Sequence, residues 1–494
     1  MKNIISIFIF ISILLNINAQ ERAVGGIVPL RKMIPAAKET IPPYIDNSKL
    51  KYFPPVINQI GGSCAQAANV GYMFTYEMNR LLDRAADKPE NRFSYLYSWN
   101  FINDGQNDGS IGLDGIQLAL SNGIITEKDF PAQTSMYAFY WASGYEKYLN
   151  AMKYRATEFQ TIDISSPEGI IQVKQFLYNR NEEGKPGGIV TFSTLASAWK
   201  IDESYNGPSG TGYHCLLTKL ASDGPHAMTI VGYDDLVEST DEDGKISKGA
   251  FIVINSWGEL MHDKGRFYLP YRFFLDKNRK NSELSFEVNS INVEYREPRI
   301  VFKVEVECDS RNDLSFRYGV ANKSTDRFPA HEYRIAIANY QGGDYNMQGA
   351  YSDAKIEFGF DFSDAEPRVN EMAEPNYFLN INRDKRGKKA AKIAVLKNFE
   401  VLDYRSGKTY RHNGNNVPIN SGQNLYNIPT VPLKRFSRSP VEWLRQNGQP
   451  VSAPLIIRTR NGKYAKMRLS DYDRTEGKIT VKYVCNLNGD RRLK

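Results

Sequence analysis

One cysteine, one histidine and one asparagine, in that order, carry the chemistry this chain could perform. Cys64 lies in NQIGGSCAQAANVGYMF, after Gly61 and Gly62 and ahead of a run in which Val70, Phe74, Met78 and Leu82 recur every four residues. That period predicts a helix over 65–82 with Cys64 at its start. A thiol attacks as its thiolate, and the unpaired N–H groups and dipole of a helix N-terminus favour that negative charge. It also needs a base. Of the histidines at 214, 226, 262, 331 and 412, His226 opens the strand-like run HAMTIVGY, which would hold its ring on a rigid element. Asn255 ends a second such run, GAFIVINSW, beside Trp257. An amide there can accept the imidazole's second N–H, and the indole can shield that bond from water. Taken alone, Cys64 reads equally well as an inert buried thiol. The company of His226 and Asn255 favours the nucleophile.

The elements that must position these groups change character along the chain. Helices are expected over 65–82, 113–122 (stopped by Gly123) and 167–178, the last with Ser166 as N-cap and Pro167 at its first position. From Gly188 short β-rich runs follow, GIVTF, HAMTIVGY, GAFIVINSW and GRFYLPY, with the acidic DDLVESTDEDGKISKG read as a solvated hairpin loop. Beyond Glu297 helical periodicity nearly vanishes, and runs such as IVFKVEV, SFRYGVA and KIEFGFDF alternate between turn clusters, the pattern of an antiparallel sandwich. Trp99 and Trp141 are read as core aromatics and Cys215 as structural. A Cys308–Cys485 bridge is allowed by position but not established by it.

Composition sets the outer bounds. With 494 residues, 41% hydrophobic and 12% aromatic, the chain has material for two or three packed domains. MKNIISIFIFISILLNINAQ has one lysine, an apolar run from Ile4 to Leu15 and a small-residue site at Ala19, the layout of a signal peptide over 1–19. The run is too short for a membrane span, and no cysteine follows it for lipid attachment. Export to the periplasm, cell surface or medium is therefore expected, with no span after signal removal. Four cysteines do not make a disulfide framework. Residues 301–494 carry 33 basic against 22 acidic side chains, +11, and residues 1–300 carry 30 against 34, so the net charge of +7 comes from the C-terminal half. Its densest cluster, RDKRGKKAAK at 383–392, is read as a solvated loop, with an anionic-ligand patch as the lesser alternative, and aromatics are not interleaved as in a nucleic-acid-binding surface.

NQ-x4-C, then HAMTIVGYDD, then INSWG ahead of GRFYLPY, resembles the papain family of cysteine peptidases in order and context. YSWNFIND and DGSIGLDGIQLALSNGIITEKDFP extend the resemblance, which covers roughly residues 51–275. It implies an α+β, two-lobed peptidase domain, a helical lobe plus a β-rich lobe, with an all-β, sandwich-like region after it. It implies Cys64 as nucleophile, His226 as base and then acid, Asn255 as orienter of His226, and Trp257 as the cover of that contact. Gln59 would donate to the oxyanion beside the Cys64 N–H, and Gly62, Ser63, Gly109, Ser110 and Trp257 would meet the substrate. Peptides or proteins are the implied substrates, endopeptidase action is expected, and no metal or organic cofactor is needed. The sequence departs from the family at Ala65, where tryptophan is usual, in a Gln59-to-Cys64 interval one residue shorter, and in the missing cysteine before the nucleophile. Those departures motivate the alternative of an inactive papain-like binding protein, with the β-rich half as an adhesion or substrate-binding module. The expected organisation is a lead over 20–50, the peptidase over 51–297, the sandwich over 298–412, a linker over 413–439 and a small β-rich module, or the rest of the sandwich, over 440–494.

Overall fold

The computed structural model describes residues 30–32, 40–103, 105–132, 139–180, 182, 184–208, 213–335, 337–338, 343–349, 354–386 and 390–431, and the backbone of 455–458, 464–473 and 478–486. The proposed signal peptide lies outside the described residues, as does the run PVEWLRQNG (440–448), whose pattern predicts a short helix. Ten strands form one sheet: β1 (Leu30–Lys32), β2 (Tyr44–Asp46), β3 (Tyr154–Asp163), β4 (Val190–Ser197), β5 (Lys200–Asp202), β6 (Leu216–Lys219), β7 (Asp223–Thr240), β8 (Ile246–Ile254), β9 (Arg266–Pro270) and β10 (Glu287–Tyr295). Their order is β1-β3-β10-β4-β7-β8-β9-β6-β5, with β2 on β7. The lead is thus not a loose segment throughout, since β1 pairs in parallel with β3 and β2 antiparallel with β7. The acidic run expected as a loop is mostly strand, because β7 and β8 carry their pairing out to Thr240↔Ile246.

The apolar runs of β7 and β8 do not alternate because both faces of the sheet are covered. Ile252 and Ile254 of β8 belong to the core that holds the first helix, whereas Phe251 and Val253 belong to a second core with Ile170, Val173, Phe176 and Leu177. The first helix, α1, runs Cys64–Gln66, continues through a wide-pitched π stretch, Ala67–Phe74, and ends as Thr75–Leu81. The Thr75 N–H reaches back five residues to the Val70 carbonyl, which marks the wide turn. Every residue from Ala65 to Asn79 is buried, so this helix passes through the protein rather than over it. It packs on β4, β7 and β10 and on α2 (Tyr95–Ile102) and α3 (Gly112–Asn122). After α4 (Tyr145–Ala151), α5 (Pro167–Asn179) starts as expected, with Ser166 Oγ accepting the Gly169 N–H at 3.1 Å. Gly123 stops α3 at φ +76°, where its backbone sits so close to Ala151 that a Cβ would lie 1.9 Å from that carbonyl.

Nine further strands make two antiparallel sheets: β11 (Ile300–Cys308), β12 (Leu314–Ala321), β13 (His331–Arg334), β14 (Lys355–Asp361), β15 (Asn376–Arg383), β16 (Ala394–Asp403), β17 (Lys408–Arg411), β18 (Val417–Pro418) and β19 (Gly422–Pro429). One sheet is β14-β11-β16-β17 with β18 on β16, and the other is β13-β12-β15-β19. Their inner faces meet through aromatics, Phe302 of β11 lying 5.6 Å from Tyr318 and 5.9 Å from Tyr377. Residues 413–431 are therefore not a linker: β18 and β19 belong to these sheets. Cys308 is a free, buried thiol whose S–H donates to the Ser310 carbonyl at 3.3 Å, and Cys215 is also free and buried. Residues up to Val431 make one compact unit and 432–494 a second, in which β20 (Leu455–Arg458), β21 (Tyr464–Asp473) and β22 (Lys478–Asn486) form a three-stranded antiparallel sheet. Among the described residues no helix is long and apolar enough to cross a membrane.

Within the first unit the sandwich is fastened to the helical region by buried charge. Arg155 of β3, with 1% of its side chain exposed, pairs with Asp361 and, at 3.2 Å, with Asp364. Arg296 adds contacts to Asp364 at 2.6 Å and to Asp361 at 3.7 Å, so two cations face two carboxylates. Asn122 at the end of α3 spans the same seam, donating to the Gly359 carbonyl and accepting the Asp361 N–H. Removing one partner from such a cluster leaves a buried charge uncompensated, at a cost of about 3–5 kcal/mol. Arg155→Met is expected to lower stability by that amount in urea unfolding, with the helical region and the sandwich lost in one transition. A loss below about 1 kcal/mol would show that the seam is not the fastening described.

Candidate active site

Cys64 sits at the first turn of α1, and the Gln66 and Ala67 N–H groups bond back to the Ser63 carbonyl. Where the helix start meets β7, only small side chains, Ala65, Ala68 and Ala227, fill the contact. The close approach lets the Ala227 N–H bear on the thiol from the neighbouring strand. Burial pushes the Cys64 thiol above its ordinary pKa, opposed by the N–H groups of Ala227, Ala65 and Cys64 itself. Ala65, where the resembled family carries tryptophan, is part of this seam.

His226 is 7% exposed, and its register partner on β4 is Thr194. Its Nε2 lies 2.8 Å from Asn255 Oδ1, and the Ser256 N–H reaches the same oxygen at 2.7 Å. A backbone N–H can only donate, so the atom it meets must be the amide oxygen, and the ring nitrogen facing that oxygen must carry the proton. The tautomer is thereby set as Nε2–H, which leaves the lone pair on Nδ1. Asn255 is itself held by its N–H on the Gly265 carbonyl and by Tyr72 of α1, whose hydroxyl donates to the Asn255 carbonyl at 3.0 Å. Trp257 lies over the imidazole, with ring centroids 4.8 Å apart and planes 30° from parallel. Trp199 backs both rings, 5.5 Å from Trp257 and 6.5 Å from His226. Burial pushes His226 below the ordinary histidine pKa, against the bond to Asn255. Burial thus works against charge on each of the two groups taken by itself. Among the described residues no hydrogen bond joins the Cys64 thiol to that ring.

Cys64 and His226 line a single cleft of about 590 Å³ together with Gly109 and Ser110. Its other walls are Ile111–Leu113, the β4 run Thr191–Leu195, and Asn281, Ser282 and Asn289. Gln66, two residues after Cys64, fixes the Gly109–Ser110 wall by donating to Ser110 Oγ at 3.2 Å and to the Ile111 carbonyl at 3.0 Å. Asn69, one turn further on, ties α1 to β4 by accepting the Thr191 hydroxyl at 3.0 Å. These two positioning residues, and the β4 wall, carried no local signal in sequence, because their roles depend on groups more than forty residues away.

Four expected site residues are not brought to the cleft wall. Gln59 Nε2 donates to the Gly61 carbonyl at 2.8 Å, and its Oε1 accepts the Ser256 hydroxyl at 2.6 Å. The amide is folded back on its own loop, with one N–H of Nε2 left over. Gly62 is packed against backbone, since a Cβ there would lie 2.5 Å from the Asp108 carbonyl carbon. Gly61 holds φ +55° beside Asn107, so the pair serves the turn. Ser63 is fully buried with its hydroxyl on the Ile60 carbonyl, which corrects its expected substrate contact. Trp257 covers His226 instead of lining the cleft. Among the described residues no cluster of three or more His, Cys, Asp or Glu could hold a metal ion.

Neither a family profile nor a curated protein matches the chain. Solved structures similar to it include xylellain, a cysteine protease from Xylella fastidiosa, at 19% identity and a TM-score of 0.33, over 55% of this chain and 92% of that one. The bromelain protease from Ananas comosus is similar at 16% identity and a TM-score of 0.34, over 51% and 99% respectively. A cysteine protease from Carica candamarcensis is similar at 14% identity and a TM-score of 0.33, over 52% and 100%.

The burial of His226 can be read directly in solution. An NMR titration of its ring is expected to have a midpoint below about 6.5, the unperturbed histidine value. Trp257→Ala, which admits water, should move that midpoint upward. A wild-type midpoint at or above the ordinary value would contradict the buried, neutral base.

Proposed function

We infer that this chain is an exported papain-like cysteine peptidase that hydrolyses peptide bonds in peptide or protein substrates. The observation that carries the reading is His226, locked as the Nε2–H tautomer by Asn255 and lining the same cleft as Cys64. A ring so held keeps Nδ1 as its only basic nitrogen. In the proposed reaction Nδ1 takes the thiol proton as Sγ attacks the scissile carbonyl carbon. The charge passing to the carbonyl oxygen meets the Cys64 N–H at the helix start and, once the Gln59 amide turns away from Gly61, an N–H of its Nε2. His226 then returns the proton to the leaving amine, and water, activated by the same nitrogen, releases the acyl group from Cys64.

Burial that works against charge on each group fits this sequence of steps, because proton transfer and attack then create the charges together, at the reacting atoms. The helix N-terminus and the Ala227 N–H favour the anion as it forms. Asn255 acts through His226, and Tyr72 acts through Asn255.

A second reading has one observation in its favour. Gln59 is bonded to Gly61 and Ser256, the result expected of its shortened approach to Cys64, so the oxyanion position has one donor fewer unless the amide turns. On that reading the cleft binds peptides without cutting them.

Intact mass after incubation with an epoxysuccinyl peptide under reducing conditions separates the two. A single adduct on Cys64, absent from Cys64→Ala, is expected, together with hydrolysis of labelled casein. Gln59→Ala should then slow hydrolysis by about 10²–10³-fold, the usual effect of one lost oxyanion donor. No adduct on the folded protein would favour the binding reading.

A further inference from the structure

The loop that leaves Trp257 and returns to β9, residues 258–265, carries a histidine that the peptidase reading leaves unused. Its tip makes little contact with the rest of the protein, for Leu260 is 99% exposed and Met261 is exposed too. His262 is turned inward instead, with 5% of its side chain exposed. Its ring lies 6.0 Å from Trp199, in the turn between β4 and β5, and 5.4 Å from Phe267 of β9, centroid to centroid. Trp199 is the same indole that backs Trp257 and His226. The loop also bears on Asn255, whose N–H donates to the Gly265 carbonyl at 2.8 Å. His262 therefore props the cover of His226 from behind.

Histidine is costly here in two independent ways. Its φ is +52°, in the left-handed region where glycine is at ease. Both ring nitrogens are buried, and among the described residues neither has a hydrogen-bond partner. A neutral imidazole has one donor and one acceptor, so both are left unsatisfied. Glycine would relieve the first cost, and phenylalanine would fill the same space without the second. What histidine alone adds is a proton taken up close to neutral pH.

The charged groups around the ring decide where that proton would send it. Glu203, just past β5, brings Oε1 to 3.7 Å from Nδ1, outside hydrogen-bond distance, and is itself 68% exposed. Asp202 of β5 is engaged with Ser204, and Asp263 accepts the His214 N–H at 3.1 Å. Arg266 of β9 donates to Ser48 and to the Lys264 carbonyl, and Lys264 itself is exposed. The Cys215 thiol, ahead of β6, is pushed up to about 11 by burial and then by Glu203 and Asp263, so it stays neutral. His226 of β7 lies beyond Trp199. Burial pushes His262 below the ordinary histidine pKa, and Glu203 is the one charged group that opposes the shift. The inward position therefore favours the neutral ring, and its support is lost as pH falls below the unperturbed value of about 6.5.

We propose that His262 is an acid-released latch on the cover of the active site. Neutral, the ring stays wedged between Trp199 and Phe267. Protonated, it leaves that apolar contact and pairs with Glu203 at the surface. Its backbone escapes the left-handed conformation in the same movement, and the loop lifts from Trp199 and Asn255. The proton comes from the medium and returns to it when pH rises, so the movement reverses. Its consequence for catalysis, a loosened His226 in acid, rests on the peptidase reading; the movement of the loop does not.

The test is hydrogen–deuterium exchange of the full chain, read by mass spectrometry on peptides spanning 256–268. It is run at about pH 7.5 and about pH 5, on either side of the histidine range, with exchange corrected for its intrinsic pH dependence. At the acid pH the wild-type loop is expected to exchange about 10-fold faster than that of His262→Phe, and at the neutral pH equally fast. His226 titrates in both proteins, so the difference isolates His262. If the phenylalanine variant does not fold, His262→Gln, which cannot be charged, takes its place. Glu203→Gln, an exposed change, should move the release to lower pH, because the cation loses its partner. Cys64 alkylation at neutral pH reports on the peptidase reading separately, so failure of the latch and failure of that reading are told apart. Equal exchange in wild type and His262→Phe at both pH values would overturn the proposal. Release of Glu203→Gln at the wild-type pH would overturn it as well, since the charged ring would then have no destination.

Discussion

The Ser256 N–H, pointing at Asn255 Oδ1 from 2.7 Å, fixes more of this site than any contact made by the thiol. It sets which atom of the amide faces His226, hence which ring nitrogen keeps its proton, hence which nitrogen can act as a base. The strand end that holds Asn255 is in turn fixed to Gly265 and to Tyr72 of α1. Tyr72 also accepts the Ile57 N–H at 2.8 Å, so one hydroxyl on the buried helix joins the segment leading to Gln59 with the one carrying Asn255. Both members of the proposed pair thus hang from the same helix, Cys64 at its N-terminus and His226 through this relay. The orientation needs no contact between the two reacting side chains in the resting state.

Burying α1 along its length has a chemical consequence. Removing water from both sides of the helix raises the pKa of its thiol and lowers that of the histidine on the neighbouring strand. The protein offsets part of this with backbone N–H groups, which supply field without carrying net charge. The sandwich contributes support at a distance: Arg155 and Arg296 hold it against α3 and β3, and among the described residues of 300–431 none lines the cleft.

Sequence was most informative where chemistry and local geometry coincide. Cys64, His226 and Asn255 were legible because each sits at the end of a periodic apolar run, and α5 because Ser166 and Pro167 mark its start. The π stretch of α1 was not legible, since the widening arises within a fully buried helix and leaves the four-residue period intact. The run over 413–431 reads as a linker because Gly, Asn and Pro dominate it and within β19 only Tyr426 and Ile428 are buried, too few to reveal alternation. Gln59 was placed at the oxyanion by resemblance, and the shorter interval to Cys64 folds its amide onto Gly61 instead. Ser63 fell next to the nucleophile in sequence, yet its hydroxyl turns into the helix start.

The central claim is that His226 activates Cys64. The direct measurement is the second-order rate of Cys64 alkylation by iodoacetamide at neutral pH, in the wild type and in His226→Ala, with folding checked by circular dichroism. A positioned base contributes about 10²–10⁴-fold, so the account predicts a fall of at least 100-fold in the variant. Equal rates in the two proteins would contradict it and would make Cys64 an ordinary thiol at the mouth of a binding cleft.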